Sequence, residues 1–100
     1  MNTDTALLVG NILANGYYRK GETLGEGGWP YLAKMGIYAW KEYTLINLFD
    51  GLLDTIHAKD DETAIKAFGY LYHLDAFPYE IQQWEHNYRV VKAEIKDSYN

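Results

Sequence analysis

Three residues in the middle of the chain have types and spacing that could do chemistry: Asp50, Asp54 and His57. Spacings of four and three place them on one face if the segment is helical. Carboxylates and an imidazole on one helical face are what bundle-core metal sites use, where Glu-x-x-His motifs come in pairs. Here only one Asp-x-x-His occurs, because neither His73 nor His86 follows an acid by three residues. Asp50, Asp54 and His57 are therefore half of a metal motif, and a metal-dependent enzyme is the alternative function they raise. His73, inside an apolar segment, reads as a hydrogen-bonded core histidine.

Other catalytic signatures are thinner. There is no cysteine, which removes disulfides, thiolate metal sites and cysteine nucleophiles together. The only serine is Ser98, two residues from the C-terminus, a poor position for a preorganised triad. The stretch GETLGEGGWPY, Gly21 to Tyr31, imitates a phosphate-binding loop in glycine content alone. Such a loop follows a strand and ends in Gly-Lys-Ser or Gly-Lys-Thr. Here no Lys-Ser or Lys-Thr follows, and Glu22 and Glu26 would repel an anion. The stretch reads as a connector, with Gly21 ending one helix and Pro30 opening the next. No cofactor is implied, and the residues favour binding over catalysis.

The elements that would hold these residues read as helices within a single domain of 100 residues. The first covers about residues 4–18 and the second runs from Tyr31 to about Lys59. A straight helix of that length would reach about 42 Å, so a bend or break is expected. Within it, GIYAWKEYTLINLF is aromatic and β-branched enough to compete as a strand. A third helix starts at Asp60, Asp61 and Glu62, acids suited to a helix N-terminus. It is apolar all round, which suits a central helix or one shared with another copy. The last begins at Pro78 and places Ile81, Trp84, Tyr88, Val91 and Ile95 at steps of three and four. The expected fold is all-α: a four-helix bundle with its glycine-rich loop between helices 1 and 2.

Composition points to the expected function. The formal charge is −5, with 14 acids against 9 lysines and arginines, which argues against direct nucleic-acid binding. The N-terminus lacks the basic start of a signal peptide, and no apolar run spans a bilayer, so a cytoplasmic protein without membrane contact is expected. Ten tyrosines, three tryptophans and three phenylalanines exceed the needs of so small a core. Neither the paired acidic motifs of MazG-like pyrophosphatases nor the Arg/His motif of HEPN domains is present.

The expectation is a small acidic module that binds a protein with a basic surface. Such a module would act as an inhibitor, immunity or anti-defence factor of a phage or mobile element. Its expected contacts are Trp29, Tyr31, Tyr70, Tyr72, Asp54, Asp60, Asp61 and Glu62. Self-association through helix 3, as a structural protein, is the remaining alternative.

Overall fold

The computed structural model describes residues 3–20, 27–85 and 88–94. They form α1 (Thr3–Asn15), β1 (Tyr17–Arg19), α2 (Gly28–Lys34), β2 (Lys41–Asn47), β3 (Gly51–Ala58), α3 (Asp61–Leu71), β4 (Tyr79–Trp84) and β5 (Tyr88–Glu94). Short 3-10 turns cover Ile37–Ala39 and Leu74–Ala76. The strands build one antiparallel sheet in the order β1-β3-β2-β4-β5. The all-α bundle is thus overturned: two of its four expected helices give way to β-hairpins.

The second expected helix stops at Lys34, and Gly36 turns the chain through a left-handed φ of 80°. The chain then enters the β2–β3 hairpin, so the competing strand reading of residues 37–49 holds for Lys41–Asn47. The last expected helix is the β4–β5 hairpin. In β4, Tyr79, Ile81 and Gln83 lie at every second position on the face toward α3, the period of a strand, and Gln82 is buried on the other face. Residues 95–100, with Ile95 of the expected stripe and Ser98 among them, lie outside the described residues. So do residues 21–26 of the glycine stretch.

Two helical expectations hold in part. α3 begins where its acids suggest: Asp60 is the N-cap, its Oδ1 accepting the Thr63 amide at 2.8 Å, with Asp61 and Glu62 in the first turn. α1 is shorter than expected. It ends at Asn15 because Gly16 takes a left-handed φ of 79°. The Gly16 carbonyl accepts the Lys59 amide at 3.0 Å. The positive φ favours glycine here, and a Cβ would in addition stand a tight 3.0 Å from Lys59 Cε and 3.2 Å from Thr63 Cγ2. That one turn sends the chain into β1 beside β3.

Each face of the sheet has its own core. On one, Tyr43, Leu45, Ile56, Tyr79 and Ile81 pack under Ala64, Ala67 and Phe68 of α3. On the other, Tyr18 points up from β1 into a cluster with Val9 and Ile12 of α1, Leu32 of α2 and Ile37, flanked by Trp29 and Trp40. Ile56 and His57 are neighbours on β3 and so face opposite cores. Gln83 is the anomaly. It is wholly buried, yet neither atom of its amide has a hydrogen-bond partner, a cost of roughly 1–3 kcal/mol.

α3 is fastened to the sheet at both ends by the same three residue types. At its N-terminus the Tyr43 hydroxyl donates to Asp61, which also takes Arg89 Nη2 on both oxygens at 2.8 and 3.0 Å. At its C-cap the Tyr72 hydroxyl donates to Asp54 Oδ2 at 2.6 Å, and Arg19 Nε lies 3.0 Å from the same oxygen. Burial alone would raise the Asp61 carboxyl, but the bonds from Tyr43 and Arg89 outweigh it and hold it below its ordinary value. Burial, and then the bond to Asp61, push the Tyr43 phenol far above its ordinary range. Burial and the bond to Asp54 likewise push the Tyr72 phenol above its ordinary value, so both phenols stay protonated as donors.

Candidate protein-binding surface

Four of the exposed large hydrophobic residues cluster at the β2–β3 turn. Asn47 shapes that turn: its Oδ1 accepts the amides of Phe49 at 2.8 Å and Asp50 at 3.2 Å. Gly51 completes it with a φ of 98°. The Leu48 amide donates to the Pro78 carbonyl at 3.0 Å, tying the turn to the chain that leads into β4. The backbone here is therefore held, while the side chains it presents are apolar. Leu48, Phe49, Leu52 and Leu53 are all exposed, Phe49 at 65% and Leu52 at 67%. Leu53 is the extra residue of a bulge, since Leu45 pairs with Asp54 but Ile46 pairs with Leu52.

The patch continues onto the sheet. Ile46 stands between Leu52 and Glu80 across the strands, on the face opposite α3. Further along that face lie the half-exposed Trp84 and Val90, with Trp84 Nε1 donating to Thr44 Oγ1 at 3.3 Å. α1 and α2 cover only the Tyr18–His57 corner of this face. A cluster of exposed apolar side chains like that at the turn marks an interaction site more often than scattered single leucines do.

Charge distinguishes this end as well. No lysine or arginine occurs between Lys41 and Lys59, or between Lys66 and Arg89. The turn and strand ends at this end of the sheet carry Asp50, Asp75, Glu80 and Glu94 against Lys92, whose ammonium sits 5.9 Å from the Tyr79 ring centre. Among the described residues the remaining cations lie in α2, α3, beside or within β1, and near the opposite ends of the strands, several beside acids: Lys20 with Glu42, Lys41 with Glu85, Lys66 with Glu62. Among the described residues, the hairpin end therefore carries more acids than cations.

The residues expected to bind a partner are scattered. Trp29 is half-buried and meets Tyr18 edge-on at 5.3 Å. Tyr72 and Asp54 are consumed by the fastening of α3. Asp60 caps that helix, Asp61 is held by Tyr43 and Arg89, and Glu62 faces Lys66. Tyr31 is exposed, and Tyr70, at 86%, is the most exposed of the large hydrophobic residues described. Both stand away from the β2–β3 turn, Tyr31 in α2 and Tyr70 in α3.

The metal half-motif does not survive the change of element. On a strand, residues three apart point to opposite faces. Asp54 faces α3 and binds Arg19 and Tyr72, whereas His57 faces Tyr18, and Asp50 sits in the turn. Among the described residues no three His, Asp or Glu side chains converge as metal ligands. No helix among them is long and apolar enough to cross a membrane.

His57 has its own environment. Its ring stacks on Tyr18 with centroids 4.9 Å apart, its Nε2 lies 3.6 Å from Glu42, and its Nδ1 is buried without a partner. Burial lowers its pKa below 6.5; Glu42 opposes this, and Lys20 adds to it. The unfolded chain then binds the proton more readily than the folded one. Stability is full above pH 6.5 and falls as pH drops through that value toward the lowered folded pKa. Melting temperature is expected to decline from about pH 7.5 to 5.5, and His57→Phe is expected to flatten that slope while keeping the Tyr18 stack. An unchanged slope in the variant would show that another group titrates.

The signal for the hairpin end was present in sequence: Asp50-Gly51 is a hairpin-turn dipeptide, flanked by Leu48-Phe49 and Leu52-Leu53. The helical reading absorbed it. Comparison with protein-family models, with curated proteins and with solved structures gives no significant match.

Proposed function

We propose that this chain is a protein-interaction module that docks through the hairpin end of its sheet. Leu48, Phe49 and Leu52 would seat in an apolar recess of a protein whose rim carries lysine and arginine. The observation that carries this reading is the set of exposed hydrophobic side chains on a turn whose backbone is fixed by Asn47 and Pro78. A fixed turn loses little conformational freedom on docking, so more of the apolar contact appears as affinity. The acids around it supply steering toward a basic rim. A small module of this kind acts by occupying its partner's surface, as an inhibitor, immunity or anti-defence factor does.

The test compares the wild-type chain with a Phe49→Ser/Leu52→Thr variant as baits. Both substitutions are exposed, so circular dichroism and melting should match. Truncating an anchor at an interface centre costs about 2 kcal/mol or more, so partners retained by the wild type should be lost by the variant. Asp50→Asn should instead slow association and weaken its salt dependence. Identical retention by both baits would refute the reading.

A further inference from the structure

A recess of the chemistry that the hairpin end requires exists on this chain itself. Two adjoining hollows of about 310 and 250 Å³ run between α1 and α3 over β1, sharing Asn15 and Tyr17 in their walls. Leu8, Ile12 and Leu71 make one stretch apolar, and Tyr17 and Tyr70 line the other. Lys66 and Arg19 are the charged residues of the two linings, which contain no carboxylate. In a chain of net charge −5 that sets the groove apart. The polar hollow at the start of α3 differs, since Asp60, Asp61 and Glu62 line it beside Lys41, Lys59 and Arg89.

Both cations can serve an incoming carboxylate. Lys66 faces Glu62 across an i,i+4 pair whose side chains are 76% and 78% exposed, a pairing easily exchanged. Arg19 meets Asp54 through Nε, and its guanidinium fork carries further N–H donors.

We infer that this groove receives the β2–β3 hairpin tip of a second copy, with Phe49 against Tyr17 and Tyr70 and Asp50 toward Lys66 and Arg19. The inference rests on the hairpin end being a docking surface, and it names a second copy as the occupant of that contact. Charge complementarity selects this arrangement: tip against tip would bring like charges together, whereas tip into groove pairs acid with cation. It also brings together Phe49 and Tyr70, two of the most exposed rings described. The contact joins different surfaces of two copies, so each added copy leaves one tip and one groove for the next, unless the rotation closes the set.

Sedimentation equilibrium of the purified chain tests this. The weight-average mass is expected to rise above 11.6 kDa with concentration and to fall back toward it in high salt. Phe49→Ser removes the tip and Lys66→Glu/Tyr70→Ser removes the groove; each alone should weaken association by about tenfold or more. Mixed in equal amounts, the two variants should form a one-to-one complex that grows no further, because one supplies the groove and the other the tip. A wild-type mass that stays at one chain across the range overturns the inference, as does association that either variant leaves unchanged. A wild-type chain that stays monomeric yet captures a different protein through Phe49 overturns the inference while leaving the docking function in place.

Discussion

Phe68→Ala is expected to destabilise the protein by about 3–5 kcal/mol, the usual cost of emptying a phenylalanine site in a closed core. The side chain has no exposed surface and lies with Ala64 and Ala67 where α3 meets Tyr43, Ile56 and Ile81. The buried residues beside it on α3, Ala64 and Ala67, are too short to reach into the space it leaves. At a urea slope of about 1–3 kcal/mol per molar, the unfolding midpoint should fall by at least about 1 M. Phe68→Leu keeps most of the volume and should cost less than about 1.5 kcal/mol. A loss below about 1 kcal/mol for the alanine variant would mean that α3 is not seated on the sheet through this residue.

Asp54→Ala is expected to cost about 1.5–3 kcal/mol, since it removes the charged acceptor of the Tyr72 hydroxyl. The Asp54 side chain is only 17% exposed, while Arg19 is 51% exposed, so the phenol bond should dominate and the ion pair add little. Tyr72→Phe isolates that bond while keeping the ring. If the two groups act as a pair, Asp54→Ala/Tyr72→Phe should be scarcely less stable than Asp54→Ala alone. Full additivity of the two losses in chemical denaturation would break the pairing.

Legibility in the sequence differed by element, for identifiable reasons. α3 could be read because its information is local: three acids at the start and a cap that needs only the next three residues. The β4–β5 hairpin could not, because its buried positions include Gln83, a polar residue that hides the alternation of Tyr79 and Ile81. Spacings of three and four between Ile81, Trp84, Tyr88 and Val91 then arise from two strands and a turn, yet they match a helical stripe. In β3 the bulge at Leu53 shifts the alternation partway along the strand, so neither period fits the whole segment. The candidate site obeyed the same logic. Aromatic and acidic residues were visible as an excess, but which of them fasten α3 and which face outward is decided by contacts 18 or more residues apart, as for Tyr43 with Asp61 and Arg89 with Asp61.

β5 forms one border of the sheet, and an open border invites a foreign strand to zip on. Here Val91 is one residue too many: Lys92 pairs with Ile81 but Val90 pairs with Gln82. The outer row of amides and carbonyls therefore loses its even spacing at mid-strand, and Arg89, Lys92 and Glu94 add charge along it. Ribbon-like fibre growth along this border is discouraged by a single inserted valine. A strand approaching this border therefore meets an uneven ladder and charged side chains before it finds a backbone to pair with.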